Sequence, residues 1–324
     1  MKAIKFFAIS AMAAAMITSC SNEDELSQSN YPSDNIIRIT AGVNNAKTRA
    51  DGAGTPLEQP LSLTVVNNNN KKYTYVNQVF TKDENGVWKC SEPLLWQNAT
   101  QAVDIAAFAP AVDKETFKDV YNEKFQQFTY NIAADQSTKS DNNDLLYYYA
   151  QGFNPGEKLV DKKLNIQMNH AFCMIDINVT LGTEFNKPSV PETSPITEVI
   201  LEGTKIEANV NVTNGTNIVT ASGEAAKIIT TEGTFEKAAN AEANGISRFS
   251  CIVIPQTVAA NTFKVSLKTA GKLYEWTSTE PVELKSGYRY TLNLTMGDNV
   301  VLLKGGSITA NPWGNGEGGS LETD

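Results

Sequence analysis

The residue with the clearest chemistry is Cys20. The chain opens Met1-Lys2-Ala3-Ile4-Lys5, runs apolar as far as Met16, and continues Ile17-Thr18-Ser19-Cys20. Lys2 and Lys5 make a positive n-region, and Phe6 to Met16 makes an h-region too short to span a bilayer as a mature helix. Thr18 and Ser19 are small enough for a peptidase to reach the Ser19–Cys20 bond. The Cys20 thiol is then the acceptor for diacylglycerol, as in a bacterial lipoprotein signal. The mature chain is therefore expected to begin at Cys20, lipid-bearing and outside the cytoplasm. At about 0.8 kcal/mol per buried methylene, several acyl chains on one cysteine suffice as an anchor.

Elsewhere the side chains that could do chemistry are sparse. His170 is the single histidine, so a two-histidine zinc site is excluded, and no Cys/His cluster compensates. No G-x-S-x-G, phosphate loop or dinucleotide fingerprint accompanies it. His170 is read as a hydrogen-bonded residue at a strand start. Asp135 to Asp144 is rich in Asp, Asn and Ser but lacks calcium-loop spacing, and reads as a solvated loop. Cys90, Cys173 and Cys251 remain beyond the anchor, an odd number that makes a poor disulfide framework. Cys173 and Cys251 fall on the apolar faces of their strands. They read as buried reduced thiols, with a disulfide between them the alternative outside the cytoplasm. Tyr147-Tyr148-Tyr149 could stack on sugars, but tyrosines in a strand more often simply pack. Paired carboxylates for glycoside hydrolysis meet only in space and leave no mark in sequence. No catalytic, cofactor-binding or metal-binding residue is assigned, and no enzymatic activity is expected.

The elements that must carry these residues are short strands. The 324 residues have a formal charge of −9, and removing Lys2 and Lys5 with the signal takes it to −11. That balance argues against nucleic acid or anionic lipid as a partner. A hydrophobic content of 41% is enough for packed cores, and the mature length suits two domains. The division is placed as a signal peptide at 1–19, a polar tether at 20–35, one domain at 36–163 and a second at 164–324. Ile36 to Val43 alternates, with Ile37, Ile39, Ala41 and Val43 on one face. A flexible loop, Lys47 to Pro56, follows. Strands are then predicted at Leu61 to Val66, Lys72 to Phe80 (with Tyr73, Tyr75 and Val79 in phase), from Val87, at Val103 to Ala109 and at Phe125 to Ile132. Asp83-Glu84-Asn85-Gly86 is a hairpin signal. Lys114 to Lys124 alone has helical spacing. In the second half, strands are predicted at Ala171 to Val179, Ile196 to Leu201, Lys205 to Val212, Phe249 to Ile254, Phe263 to Lys268 and Lys272 to Thr277. Tyr288 to Met296, Val300 to Leu303 and Ser307 to Ala310 complete the set. Many short strands with turns between them predict an all-β protein built of antiparallel sandwiches.

Distributed along the chain are segments that resemble the fimbrillin family of the Bacteroidota, the donor-strand pilins sometimes called type V. Ser21-Asn22-Glu23-Asp24-Glu25 resembles the surface-export signal of lipoproteins in that phylum. Lys47-Thr48-Arg49-Ala50 follows the first strand. Asp144-Leu145-Leu146-Tyr147 is similar to the family's "DLLYA" segment, with Tyr148 where alanine would stand. Leu164 to Ala171 is similar to its "L-x-F-x-H-A" strand, and Val253-Ile254-Pro255-Gln256-Thr257, Leu284 to Tyr290 and Ile308 to Trp313 complete the series. The resemblance implies two tandem transthyretin-like β-sandwiches, lipoprotein export and display on the outer membrane. It also implies cleavage by an arginine-specific protease after the first strand, at Arg49-Ala50, so that removal of Ile36 to Val43 opens a groove. A terminal strand of another subunit would fill that groove by strand addition. The donor would be Val300 to Leu303 with Ile308. A soluble loop residue is the plain alternative for Arg49.

The function expected on this basis is a fimbrial subunit or accessory pilin, a surface lipoprotein with a role in adhesion. Its partners would be other fimbrial subunits, the outer membrane through its lipid, an arginine-specific protease and a host protein or glycan. A monomeric surface glycan-binding lipoprotein is the alternative.

Overall fold

A computed structural model describes residues 30–44, 55–112, 127–138, 143–212, 217–297, 300–303 and 308–313. The chain is all-β, with two hydrophobic cores. The first part supplies β1 (Ile39–Val43), β2 (Thr55–Pro56), β3 (Leu61–Val66), β4 (Tyr75–Lys82), β5 (Trp88–Cys90), β6 (Val103–Ala109), β7 (Gln127–Asn131), β8 (Leu146–Phe153) and β9 (Leu164–His170). All but β7 form one eight-stranded sheet in the order β2-β1-β9-β8-β6-β3-β4-β5. It encloses a core of Ile37, Ile39, Leu61, Leu63, Trp96, Ile105, Leu164, Ile166 and Met168, among others.

The second part supplies β10 (Cys173–Leu181), β11 (Ile196–Asn211), β12 (Val219–Ile229), β13 (Thr231–Glu236), β14 (Ile246–Val253), β15 (Gln256–Val258) and β16 (Lys264–Thr269). It continues with β17 (Leu273–Thr277), β18 (Val282–Leu284), β19 (Tyr288–Met296), β20 (Val301–Leu303) and β21 (Thr309–Pro312). One sheet runs β13-β14-β10-β19-β20, with β21 also on β19. The other runs β12-β11-β16-β17, with β7 on β11, and β15 and β18 form a small ribbon. Their inner faces build the second core. β10 alternates buried and half-buried over its whole length, with Cys173, Ile175, Ile177, Val179 and Leu181 inward, as period-two packing requires. Parallel ladders join β1 to β9 and β10 to β19 within otherwise antiparallel sheets. Each pairs strands far apart in sequence, as a parallel crossover demands.

Two strands are traded across the expected division at residue 163. β9 lies beside β1 in the first sheet, while β7 pairs Gln127–Asn131 with Asn211–Glu207 of β11. The chain passes from the first sheet to the second between His170 and Cys173. The two parts are also packed together. On β6, Ile105 and Ala107 enter the first core whereas Ala106 and Phe108 enter the second. Phe108 meets Phe128 edge-on at 5.0 Å. Burial on both faces explains why β6 reads as a continuous apolar run rather than an alternation.

Other departures have local causes. The strand predicted from Lys72 begins later, because Asn70 caps a short 3-10 turn over Lys71–Tyr73 through Lys72 N–H. Within β4, Asn77 adopts φ 49° and is buried, its Nδ2 donating to Val112 O at 2.8 Å. This bulge reverses the phase, so Phe80 is 2% exposed and Val79 is 39% exposed. The strands predicted at Ile196 to Leu201 and Lys205 to Val212 are one, β11. Gly203, at φ +94°, bulges between them, and a Cβ there would run into the Thr262 carbonyl. The helical spacing at Lys114 to Lys124 lies outside the described residues.

Candidate assembly strands

β1 is held unequally on its two sides. Toward β9 it makes a five-residue parallel ladder, Ile39↔Leu164 to Val43↔Met168. Leu164 N–H donates to Arg38 O at 2.8 Å and Asn44 N–H to Met168 O at 2.7 Å. Toward the other side it meets β2 only at Gly42 and Val43, plus Leu57 N–H donating to Ala41 O. At its start, Ile36 bridges Leu95 and Ile37 N–H donates to Leu94 O at 2.8 Å. Between these pins lies a cavity of about 530 Å³ whose wall includes Ile37, Ile39, Phe80, Val87, Trp88 and Leu94. Ile37 and Ile39 are buried while Arg38 and Thr40 are exposed, the alternation expected of this strand. Arg38 forks onto the Asp34 carboxylate, with Oδ1 at 2.9 Å and Oδ2 at 2.5 Å. That contact, with the Ile36 N–H, holds the Asp34 carboxyl below the usual carboxylate range.

At the other end of the chain, β20 and β21 make one antiparallel lane along β19. Leu303 to Val301 pair with Leu294 to Met296, and Thr309 to Pro312 with Thr291 to Tyr288. Val301 is buried, Leu302 is 59% exposed, and Ile308 and Ala310 pack against the second core. In this arrangement the predicted donor stretch occupies the edge of its own subunit's sheet. The lane ends at Trp313, whose ring lies on the imidazole of His170 with centroids 3.9 Å apart and planes 1° apart.

His170 is indeed hydrogen-bonded, though at the end of β9 rather than at a strand start: its Nδ1 lies 2.7 Å from Asp144 Oδ2. Tyr130 is nearby, its hydroxyl pushed up to about 12 by burial and secondarily by the Asp144 charge. The Asp144 contact fixes the orientation of the His170 ring. The Asp135 to Asp144 stretch behaves likewise where it is described. Asp135 Oδ1 accepts from Ser137 N–H, and buried Gln136 bridges Ala133 O and both backbone groups of Ile252. Among the described residues no group of three or more His, Cys, Asp and Glu could hold a metal ion. Tyr147 and Tyr149 pack on the second core and Tyr148 on the first, so these rings are packing residues. Cys173 and Cys251 are free and buried, with burial raising both thiols. Cys251 pairs with Ile175, two residues from Cys173, a diagonal spacing of roughly 7–8 Å that is too long for a disulfide. Ser19, Cys20, Arg49 and Ala50 lie outside the described residues, and no helix among the described residues is long and apolar enough to cross a membrane.

The fimbrillin-like family profile matches residues 48–313. The chain belongs to that family. Among solved structures it is similar to a candidate cell adhesion protein from Bacteroides ovatus, at 15% identity and TM-score 0.60, over 86% of this chain and 97% of the other. It is also similar to a fimbrial protein from Bacteroides vulgatus, at 14% identity and TM-score 0.50, over 85% and 99%. A third is the tip fimbrial protein Mfa3 from Porphyromonas gingivalis, at 10% identity and TM-score 0.51, over 86% and 99%. These likenesses support the fold. A search of curated protein sequences finds no match.

Proposed function

We propose that this chain is a pilin-type fimbrial subunit, a surface lipoprotein that joins other subunits by strand exchange and serves adhesion. Signal removal leaves Cys20 lipidated at the outer membrane, with the stretch up to residue 35 as tether. An arginine-specific protease cuts at Arg49-Ala50, in the connection between β1 and β2. β1 then leaves, and the β20–β21 segment of another subunit takes its place beside β9. The observation that carries this reading is the unequal attachment of β1: a five-residue ladder toward β9, and on the other side a two-residue pairing with β2 and a cavity of about 530 Å³ bordered by Ile37 and Ile39. Its departure gives up the two-residue β2 pairing on its far side and leaves β9 to β5 joined, while it uncovers backbone groups and an apolar seam that are costly until refilled.

The test uses the soluble chain from Ser21, treated with an arginine-specific protease. The expected result is a new N-terminus at Ala50 and ladders on unboiled gels. Arg49→Ala should remain monomeric, and deletion of Val300 to Asp324 should permit cleavage without extension. Polymerisation of the uncut chain as efficient as that of the cut chain would overturn the mechanism. In cells, Cys20→Ala should lose both acyl label and membrane retention.

A further inference from the structure

We propose that His170 and Trp313 form a latch that retains the C-terminal strand on its own subunit. Trp313 is fixed twice. Its backbone N–H donates to Gly287 O at 2.7 Å, and its indole lies flat on His170 with ring centroids 3.9 Å apart. His170 is itself immobilised. Asp144 holds its Nδ1 at 2.7 Å, and Ser286 Oγ donates to the backbone carbonyls of His170 and Ala171 at 3.1 and 2.8 Å. Gly287 N–H closes the frame on Phe172 O at 2.8 Å. The latch therefore sits where the chain crosses from the first core to the second, on backbone tied by Ser286 and Gly287.

The strand it retains is held by its four-residue ladder with β19 and by Ala310 against the second core. β21 reads Thr309-Ala310-Asn311-Pro312, with no large apolar side chain of its own. Its ladder partner β19 remains paired with β10 whether or not β21 is present. The ring that follows β21 thus adds the one large side-chain contact at the end of this lane among the described residues. A flat stack of two planar rings, one oriented by a carboxylate, adds retention beyond the backbone ladder. That added part can be opened by one side-chain movement.

Retention is independent of polymerisation. The consequence that the latch delays donation rests on the reading of β20–β21 as the donor. The test is amide hydrogen exchange on the soluble uncut chain from Ser21. Trp313→Ala should lower protection of Thr309 to Trp313 about tenfold, with β10 amides unchanged as the internal control. Trp313→Phe, which keeps a stacking ring, should retain most of the protection, whereas Trp313→Leu should not. His170→Ala should produce the same loss at Thr309 to Trp313, and the double variant no more than either single one. Unchanged protection in both Trp313→Ala and His170→Ala, or full additivity between them, would overturn the latch. After cleavage at Arg49, Trp313→Ala should extend faster than the parent. If deletion of Val300 to Asp324 still extends, the donor assignment fails while the exchange data continue to judge the latch.

Discussion

Ile39→Ala is the sharpest perturbation of the proposed acceptor. Ile39 is 4% exposed, packs in the first core and stands opposite Leu164 in the ladder with β9. Truncation of a buried isoleucine to alanine costs about 2–5 kcal/mol, depending on how far the surroundings collapse. Here the side chain borders the cavity of about 530 Å³, so its neighbours have room to relax and the low end, about 2–3 kcal/mol, applies. In the uncut chain this loss is a modest drop in stability. Once Arg49 is cut, the same loss falls entirely on a fragment held without a covalent link. If it is expressed in dissociation, the β1 fragment should leave about 30- to 150-fold faster.

The assay places a fluorophore ahead of Tyr31, cuts with the arginine-specific protease, and follows loss of the fragment by anisotropy against excess unlabelled peptide. Thr40→Ala is the matched control. Thr40 is exposed on the opposite face, with one contact of 3.3 Å to Asn165 Oδ1, so its substitution should change the rate less than about threefold. Equal rates for the two variants would refute the argument that inward packing of β1 holds the fragment.

Three further outcomes are expected. Gly203→Ala forces a side chain into the Thr262 carbonyl at a left-handed position and should cost about 2–4 kcal/mol in denaturant unfolding, whereas Gly86→Ala, in open space at the β4–β5 turn, should cost about 1. Native protein should label with a thiol reagent at Cys90 only, with Cys173 and Cys251 reacting on unfolding at the global rate, since both are buried with raised thiols. Stability should fall at alkaline pH. Burial raises Tyr130 to about 12 from 10.0, so the folded state holds its proton while the unfolded state releases it. The contribution is intact below pH 10 and is lost as pH rises from there toward 12, at up to about 1.4 kcal/mol per pH unit. Tyr130→Phe should flatten the fall in melting temperature over that range.

Where one face of a strand met a core and the other met water, the sequence pattern was sufficient. β10 and β19 are legible because their alternation is unbroken, and the β4–β5 hairpin because Asp83 Oδ1 accepts from Asn85 and Val87 N–H ahead of Gly86 at φ 74°. β12 and β13 were missed because both are largely exposed and rich in Thr, Glu, Gly and Ala, which leaves no apolar signal. The exchange of β7 and β9 between sheets was illegible for a different reason. Alternation tells which face of a strand is buried, and says nothing of which strand lies beside it. The same limit applies to the latch. Asp144, His170 and Trp313 each lie in a segment that carries the family resemblance, yet the meeting of His170 and Trp313 depends on the fold of the 142 residues between them. The chemistry proposed for Cys20 and Arg49 stands at the opposite extreme, since it rests wholly on local sequence.

The proposed assembly has a direction, and the two chain ends explain it. Loss of β1 takes Ile37 and Ile39 out of the first core and strips backbone partners from Leu164 and Met168. A gap of that kind binds a new strand strongly. Loss of β20 and β21 leaves β19 still paired with β10 and, among the described residues, removes Val301, Ile308 and Ala310 from the second core. A subunit therefore has much to gain by accepting a strand at its N-terminal sheet and comparatively little to lose by giving one from its C-terminal edge. Growth in a single orientation follows from that inequality, without any difference in sequence between successive subunits.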